Sequence, residues 1–274
     1  MKTAHIVTGG KGNIGKTAFA ELLTCMAIAS GHQPNLVDAD YKKQTLSRWR
    51  GDAVTKLMLS DDPTFASQPD NIWRLLVNEE GNVIVDLAAQ SDHLLSSWLK
   101  ERGIARAAEA NQIQIIKWWV ADLDTDSFEE LVKSYADFPT IHHVLVKSHF
   151  RARSEMWEEP LATNEALKGA IANGLKAIEF PRMFVGVMDK LRQQNVTLST
   201  AIADEEYKHV DMLDRSTVMN WVEDAAAQVQ TIYQFQPTKP AAESPGPAAD
   251  NAEPTSNSPK PAASSKKKTS KAKS

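Results

Sequence analysis

Gly10-Lys11-Gly12-Asn13-Ile14-Gly15-Lys16-Thr17 is the stretch that decides how the chain folds. A glycine, four residues and then Gly-Lys-Thr is the spacing of a loop that wraps a phosphate, and it needs a strand before it and a helix after it. Both are present: an apolar run over residues 3–7 precedes the loop, and a helical pattern over residues 16–30 follows it and stops at Gly31. The glycines let the backbone curl so that successive N–H groups face a β-phosphate. Lys16 supplies a point charge to the outer phosphates, and the Thr17 hydroxyl is a magnesium ligand. A chance glycine turn before a helix accounts for the glycines, but not for the strand, the spacing, the lysine and the threonine together.

Outward from the loop, short apolar runs alternate with stretches of helical period. Strands are expected over residues 35–37, 83–85, 113–120, 142–146 and 176–180, mostly in the continuous apolar form of strands buried on both faces. Helices are expected over 91–102, ending at Gly103, and over 126–136, 162–173 and 217–233. Between 51 and 80 the pattern is least regular: 54–59 reads as a strand, and 72–77 as a short helix or a strand. The fold class that follows is α/β, a mainly parallel sheet covered by helices on both faces. Residues 1–235 form the phosphate-loop domain. Residues 236–274 are rich in Pro, Ala, Ser and Lys, with no aromatic residue after Phe235 and no aliphatic side chain larger than alanine, so they are expected to be a disordered tail.

Two further strands end in acids. Asn35-Leu36-Val37-Asp38-Ala39-Asp40 comes directly after the first helix, and in a parallel sheet the strand ends gather at one edge, which turns these acids toward the phosphates. Asp40 has two readings, an acid of the site or the cap of a helix beginning near Lys42. Val83-Ile84-Val85-Asp86 has the form of a strand whose terminal acid holds magnesium or its water. Asp122 and Asp124 also follow a strand, but Asp124 and Asp126 suit the N-terminus of the next helix equally well, and they are left outside the expected site.

Lys11 is a second lysine inside the loop, which the general pattern does not require. Here the sequence resembles the deviant Walker A family, the ParA and MinD group of P-loop ATPases, whose loop reads Lys-Gly-Gly-X-Gly-Lys-Thr. Asn13 stands where that family has its second glycine, Ala18 where a second Thr or Ser is common, and Tyr41-Lys42 where Pro-Gln often follows the Asp-X-Asp strand. The resemblance implies ATP and Mg2+ as cofactors. It implies nucleotide contacts from Gly10, Lys11, Gly12, Asn13, Ile14, Gly15, Lys16, Thr17 and Ala18, and metal ligation by Thr17, Asp38 and Asp86. Catalytic roles fall on Lys11, Lys16 and Asp40, with Lys11 reaching the nucleotide of a partner subunit in an ATP-dependent homodimer and Asp40 orienting the attacking water. Within the group the chain looks most like the plasmid-associated branch that includes partition ATPases and TraL-type proteins of conjugative plasmids. The features that look so are the Asp86-Leu87-Ala88-Ala89-Gln90 segment, the strand over 142–150 and Glu179-Phe180-Pro181.

The composition bounds the alternatives. With 42% hydrophobic residues in 274 and a net charge of −4, there is material for one sizeable core. One cysteine, Cys25, makes neither a disulfide nor a multi-cysteine cluster, which excludes the iron-sulfur members of the superfamily and points to a reducing cytoplasm. The chain enters the loop too soon for a signal peptide, and it has no apolar run of membrane-spanning length. His142 and His143 are adjacent, so on a strand they face opposite ways and do not share a metal. Trp118, Trp119 and the other tryptophans are not interleaved with basic residues as a stacking platform requires. Lys42, Lys43, Arg48 and Arg50 read as a solvated helix face, with contact to DNA or a partner as the other reading. Lys260, Lys266, Lys267, Lys268, Lys271 and Lys273 make the end of the tail cationic. That suits non-specific DNA contact or a merely solubilising end, and offers no apolar face for membrane insertion.

The expected function is an ATPase that dimerises on ATP and positions or segregates a cargo, plasmid DNA or a conjugation complex, under an unidentified activator or cargo protein. Two rivals stand beside it. One is an ATP-dependent metabolic ligase of the dethiobiotin synthetase or cobyrinate amidase kind, and the other a nucleotide-regulated adaptor with little hydrolysis.

Overall fold

The computed structural model describes residues 1–236, so the tail expected from 236 onward lies, apart from Gln236, outside the described residues. Seven strands form one parallel sheet: β1 (Thr3–Thr8), β2 (Asn35–Ala39), β3 (Val54–Lys56), β4 (Val83–Leu87), β5 (Gln114–Ala121), β6 (His142–Ser148) and β7 (Lys176–Phe180). Their order is β3-β2-β4-β1-β5-β6-β7. The loop-bearing β1 is thus central, paired with β4 through Ile6↔Val85 and with β5 through Thr8↔Trp119.

Because the strands are buried on both faces, alternate residues feed two different cores. On one face α1 (Lys16–Ala29), α2 (Thr45–Arg50), α9 (Val185–Gln194), α10 (Leu198–Ala203) and α11 (Met212–Gln230) pack on a layer that includes Phe19, Trp118, Val146, Phe180 and Trp221. On the other, α3 (Asp70–Asn78), α4 (Asp92–Glu101) and α5 (Ile104–Ala110) cover the β1, β2 and β4 half through Ile72, Leu95 and Trp98. There α6 (Thr125–Asp137) and α8 (Glu165–Ala172) cover the β5 and β6 half through Phe128, Leu131 and Leu167, with α7 (Glu158–Thr163) leading into α8. Trp118 and Trp119 divide between these faces. The Trp118 indole donates to His5 Nδ1 at 3.2 Å, and the Trp119 indole donates to Ser127 Oγ at 3.1 Å, so both buried N–H groups are satisfied. His142 is exposed and His143 buried, as adjacent strand positions require.

The expected fold class is what the chain adopts, with differences in detail. The stretch expected as one helix over 162–173 is two, because the Asn164 side chain accepts from Leu167 N at 2.9 Å and starts α8 afresh. Residues 54–59 contain only the short β3, and 72–77 lie in helix α3. The last helix begins five residues earlier than expected, at Met212, where Asp211 accepts from Asp214 N at 2.8 Å.

Candidate functional site

Strands β1, β2, β4, β5 and β6 all run toward the same edge of the sheet, and their last residues surround the loop between β1 and α1. The loop departs from β1 against β5: a Cβ on Gly9 would stand 2.1 Å from the Val120 carbonyl oxygen, so only glycine passes there. Asn13 and Gly15 adopt φ of 61° and 101°, which supply the left-handed turns of the curl. Four contacts then hold its shape. Ser148 Oγ, at the end of β6, donates to Ile14 O at 2.6 Å, and Lys43 Nζ donates to Asn13 Oδ1 at 3.0 Å. Lys16 Nζ reaches back to Lys11 O at 2.5 Å, and Lys11 Nζ pairs with Asp124 at 3.0 Å.

Lys16 is buried, and burial lowers its affinity for a proton while the carboxylates of Asp86 and Asp40 raise it. Asp86 is its counterpart. Fully buried at the end of β4, its carboxyl is pushed up to about 7 by desolvation, opposed by a hydrogen bond with the Thr17 side chain and by Lys16, and reinforced by Asp38 and Asp40. Its Oδ1 has no hydrogen-bond partner. A partnerless carboxylate oxygen in a buried place is costly unless something else meets it. With the Thr17 hydroxyl beside it, this oxygen makes a hard-oxygen pair of the kind that suits Mg2+. The residues present fit a magnesium-bound phosphate chain.

Asp38 and Asp40 do different things. Asp38 accepts from Asp40 N at 3.0 Å and from Ser47 N at 2.8 Å, so each oxygen is engaged by the backbone, and the carboxylate ties the end of β2 to α2. Asp40 is half-buried at the cavity wall and accepts from Lys43 N at 3.0 Å, while its carbonyl accepts from Gln44 N at 2.7 Å. It shapes the turn before α2 and still faces the loop. The cavity it borders, of about 910 Å³, is lined on the loop side by Gly12, Asn13, Gly15, Lys16 and Thr17.

Of the residues expected in the site, Lys16, Thr17, Asp38, Asp40 and Asp86 converge. Lys11 points elsewhere. Its side chain, 44% exposed, lies on the β5 side of the loop, where the hydrogen bond to Asp124, with help from Asp122 and Asp126, holds its ammonium charged well above the usual lysine range. Asp122 and Asp124, left outside the expected site, are therefore beside it, and Asp122 Oδ1 is buried without a partner. The rule that strand ends share one edge already covered them, since β5 is next to β1. Phe150, Trp49 and Arg192, which also line the cavity, carry no signal in the sequence.

Two relatives and several solved structures resemble this chain. Protein TraL of Escherichia coli is 29% identical over 100 residues, 36% of this chain and 42% of TraL. A second Protein TraL of Escherichia coli is 27% identical over 100 residues with the same coverage. The chain thus spans less than half the length of the curated relatives it matches. No family model matches. Among solved structures, similarity extends to the septum site-determining protein MinD complexed with Mg-ADP from Pyrococcus horikoshii. It is 13% identical over 85% of this chain and 99% of that one, with a TM-score of 0.49. The MinC:MinD cell division protein complex of Aquifex aeolicus gives 13%, 88%, 100% and 0.49, and a nucleotide-binding protein in complex with ADP from Archaeoglobus fulgidus gives 12%, 77%, 93% and 0.48.

The chain resembles ParA- and MinD-type P-loop ATPases. The loop with its two lysines, the central β1 and the acids at the ends of β2 and β4 carry that resemblance. Among the described residues, no helix of this ParA- and MinD-like fold is long and apolar enough to cross a membrane.

Proposed function

We propose that the chain binds ATP with Mg2+ at the loop between β1 and α1, hydrolyses it, and dimerises in its ATP-bound form to position or segregate a cargo. The observation that carries this reading is the meeting of Lys16, Thr17 and the partnerless Asp86 oxygen under a glycine-rich curl, with Asp40 on the adjoining wall. Loop N–H groups and Lys16 hold the phosphates and take up negative charge as the bond between the γ-phosphorus and the bridging oxygen lengthens. Magnesium, when bound by Thr17 and Asp86, neutralises charge on the outer phosphates. Asp40 orients a water for in-line attack. The new bond joins that water oxygen to phosphorus, the β–γ bridge breaks, and ADP and phosphate leave with the proton passing to solvent or phosphate. Asp38 keeps Asp40 in place through the Asp40 and Ser47 backbone amides rather than touching the substrate.

Lys11 enters only when it exchanges Asp124 for a nucleotide phosphate across a dimer. The TraL similarity, with the plasmid-associated features of the sequence, supports plasmid DNA or a conjugation complex as the cargo, in the cytoplasm, with an activating protein and non-specific DNA contact through the basic tail. Light scattering of the full chain with ATP and magnesium tests the dimer. Asp40→Ala, which slows turnover, accumulates a dimer that Lys11→Ala does not form; three monomers under those conditions sink the dimer reading.

A further inference from the structure

The cavity that holds the loop does not end at the phosphates. It continues past Asp40 to a second end between α2 and the C-terminus of α9, lined by Lys42, Arg48, Trp49, Arg192 and Asn195. Of the cations on its wall, Lys16 is engaged by the Lys11 carbonyl and Lys43 by Asn13. Lys42, Arg48 and Arg192 have neither an ion pair nor a side-chain hydrogen bond among the described residues; Lys42 lies only over the Tyr41 ring. Arg192 Nε is buried without an acceptor, and its guanidinium meets only the face of Trp49, 6.0 Å to the ring centre. Burial lowers its hold on its proton, and Asp189, whose charge counters this, makes no ion pair with it.

This end is also rigidly built. Trp49, buried, donates from its indole to Val196 O at 2.7 Å, fastening α2 to the chain after α9. Beside it Arg50 forks onto the fully buried Glu21 at 2.6 and 2.7 Å, and Glu21 also accepts from Leu198 N at 3.0 Å. Of the four basic residues read from the sequence as a solvated face, one is therefore an internal clamp, one is tied to the loop, and two, Lys42 and Arg48, are exposed as expected and line the cavity. A half-buried arginine whose Nε is closed off from water with no acceptor is a costly arrangement for a structural residue, and a forked donor set matches an oxyanion.

We infer that the Arg48 and Arg192 end of this cavity is a separate subsite for a small dianion carrying a carboxylate or a phosphate, seated on Trp49 beside the nucleotide phosphates. This rests on the loop being the nucleotide end of the cavity. Its volume, about 910 Å³, falls in the upper part of the range for small-molecule sites.

Calorimetric titration of the full chain with succinate and, separately, inorganic phosphate, each with and without saturating MgADP, tests it. Saturable binding of one probe or both to the MgADP-loaded protein is expected, falling at least about tenfold in Arg48→Gln/Arg192→Gln while MgADP affinity and the thermal melt stay unchanged. Succinate alone binding assigns a carboxylate ligand; phosphate alone assigns a phosphate. No saturable binding of either probe, or equal binding to wild type and the double variant, overturns the subsite. Failure of MgADP itself to bind strikes instead at the nucleotide reading, because the succinate titration is also read on the nucleotide-free chain.

Discussion

Gly15 shows how little room the loop leaves. At φ 101° a side chain is strained, and a Cβ there would come within 3.1 Å of both the Phe150 and Phe180 rings. Gly15→Ala is expected to cost about 1–3 kcal/mol in denaturant unfolding and to weaken nucleotide binding at least tenfold, since Lys16 and Thr17 follow it directly. Asp86 gives the metal test. ADP affinity of the wild type is expected to fall when EDTA removes magnesium, whereas Asp86→Asn binds ADP with the same affinity with and without it. A variant that keeps the full magnesium effect removes Asp86 from the metal's ligands. Lys16, Thr17, Asp40 and Asp86 were legible in the sequence because each is fixed by chain distance from a strand end. The partner of Lys11 was not: Asp124 meets it only through the pairing of β5 with β1, which spacing does not reveal. Nor does a sequence show that Asp38 spends both oxygens on backbone amides.

Among the elements, β5 and α4 are joined by an ion pair that the apolar pattern of β5 conceals. Lys117, fully buried, meets Asp92 at 2.7 Å and donates to Ser134 Oγ at 2.7 Å, while Thr8 Oγ1, at the last residue before the loop, donates to Asp92 at 3.2 Å. Removing one partner leaves the other charge poorly compensated. Lys117→Met is expected to destabilise the fold by about 3 kcal/mol, and adding Asp92→Asn to restore part of that, as a double-mutant cycle in urea measures. Additive losses would mean that the pair is not coupled. The elements that sequence reading missed, α5, α9 and α10, have physical reasons to be missed. Helix α9 starts on exposed Phe184 and Val185, which breaks the apolar stripe, and α5 and α10 are two turns or fewer. The β-strands, buried on both faces, needed no periodicity to be seen.

At the scale of the whole molecule, two buried histidines make the fold less stable in acid. Burial pushes His5 down to about 3, and burial aided by Lys117 pushes His143 down to about 4. The contacts of His143 suit the neutral ring on one side only: Lys117 donates to Ser134 and the Ser134 hydroxyl donates to His143 Nε2, whereas Nδ1–H donating to Ile141 O favours the proton and is outweighed by burial. Both rings take a proton on unfolding below the ordinary histidine value, so the unfolded chain binds more protons there and the fold loses stability as pH drops from about 6.5 toward 4. At pH 5 the loss relative to pH 7.5 is about 2 kcal/mol for each histidine, offset in part by Asp86, whose raised carboxyl takes up its proton in the folded state over the same range. Urea unfolding at the two pH values is expected to show it, with His143→Gln giving a flatter profile; an unchanged slope in that variant would rule His143 out as a source.

In the proposed function the loop and the acids beside it work as one hydrolytic site. Phosphate release from MgATP by the full chain, compared with Lys16→Ala and Asp40→Ala, tests that most directly. Slow release by the wild type is predicted, with neither variant above background and with ATP still bound by Asp40→Ala but not by Lys16→Ala. Release by Asp40→Ala at the wild-type rate, or no ATP binding by the wild type, would contradict it.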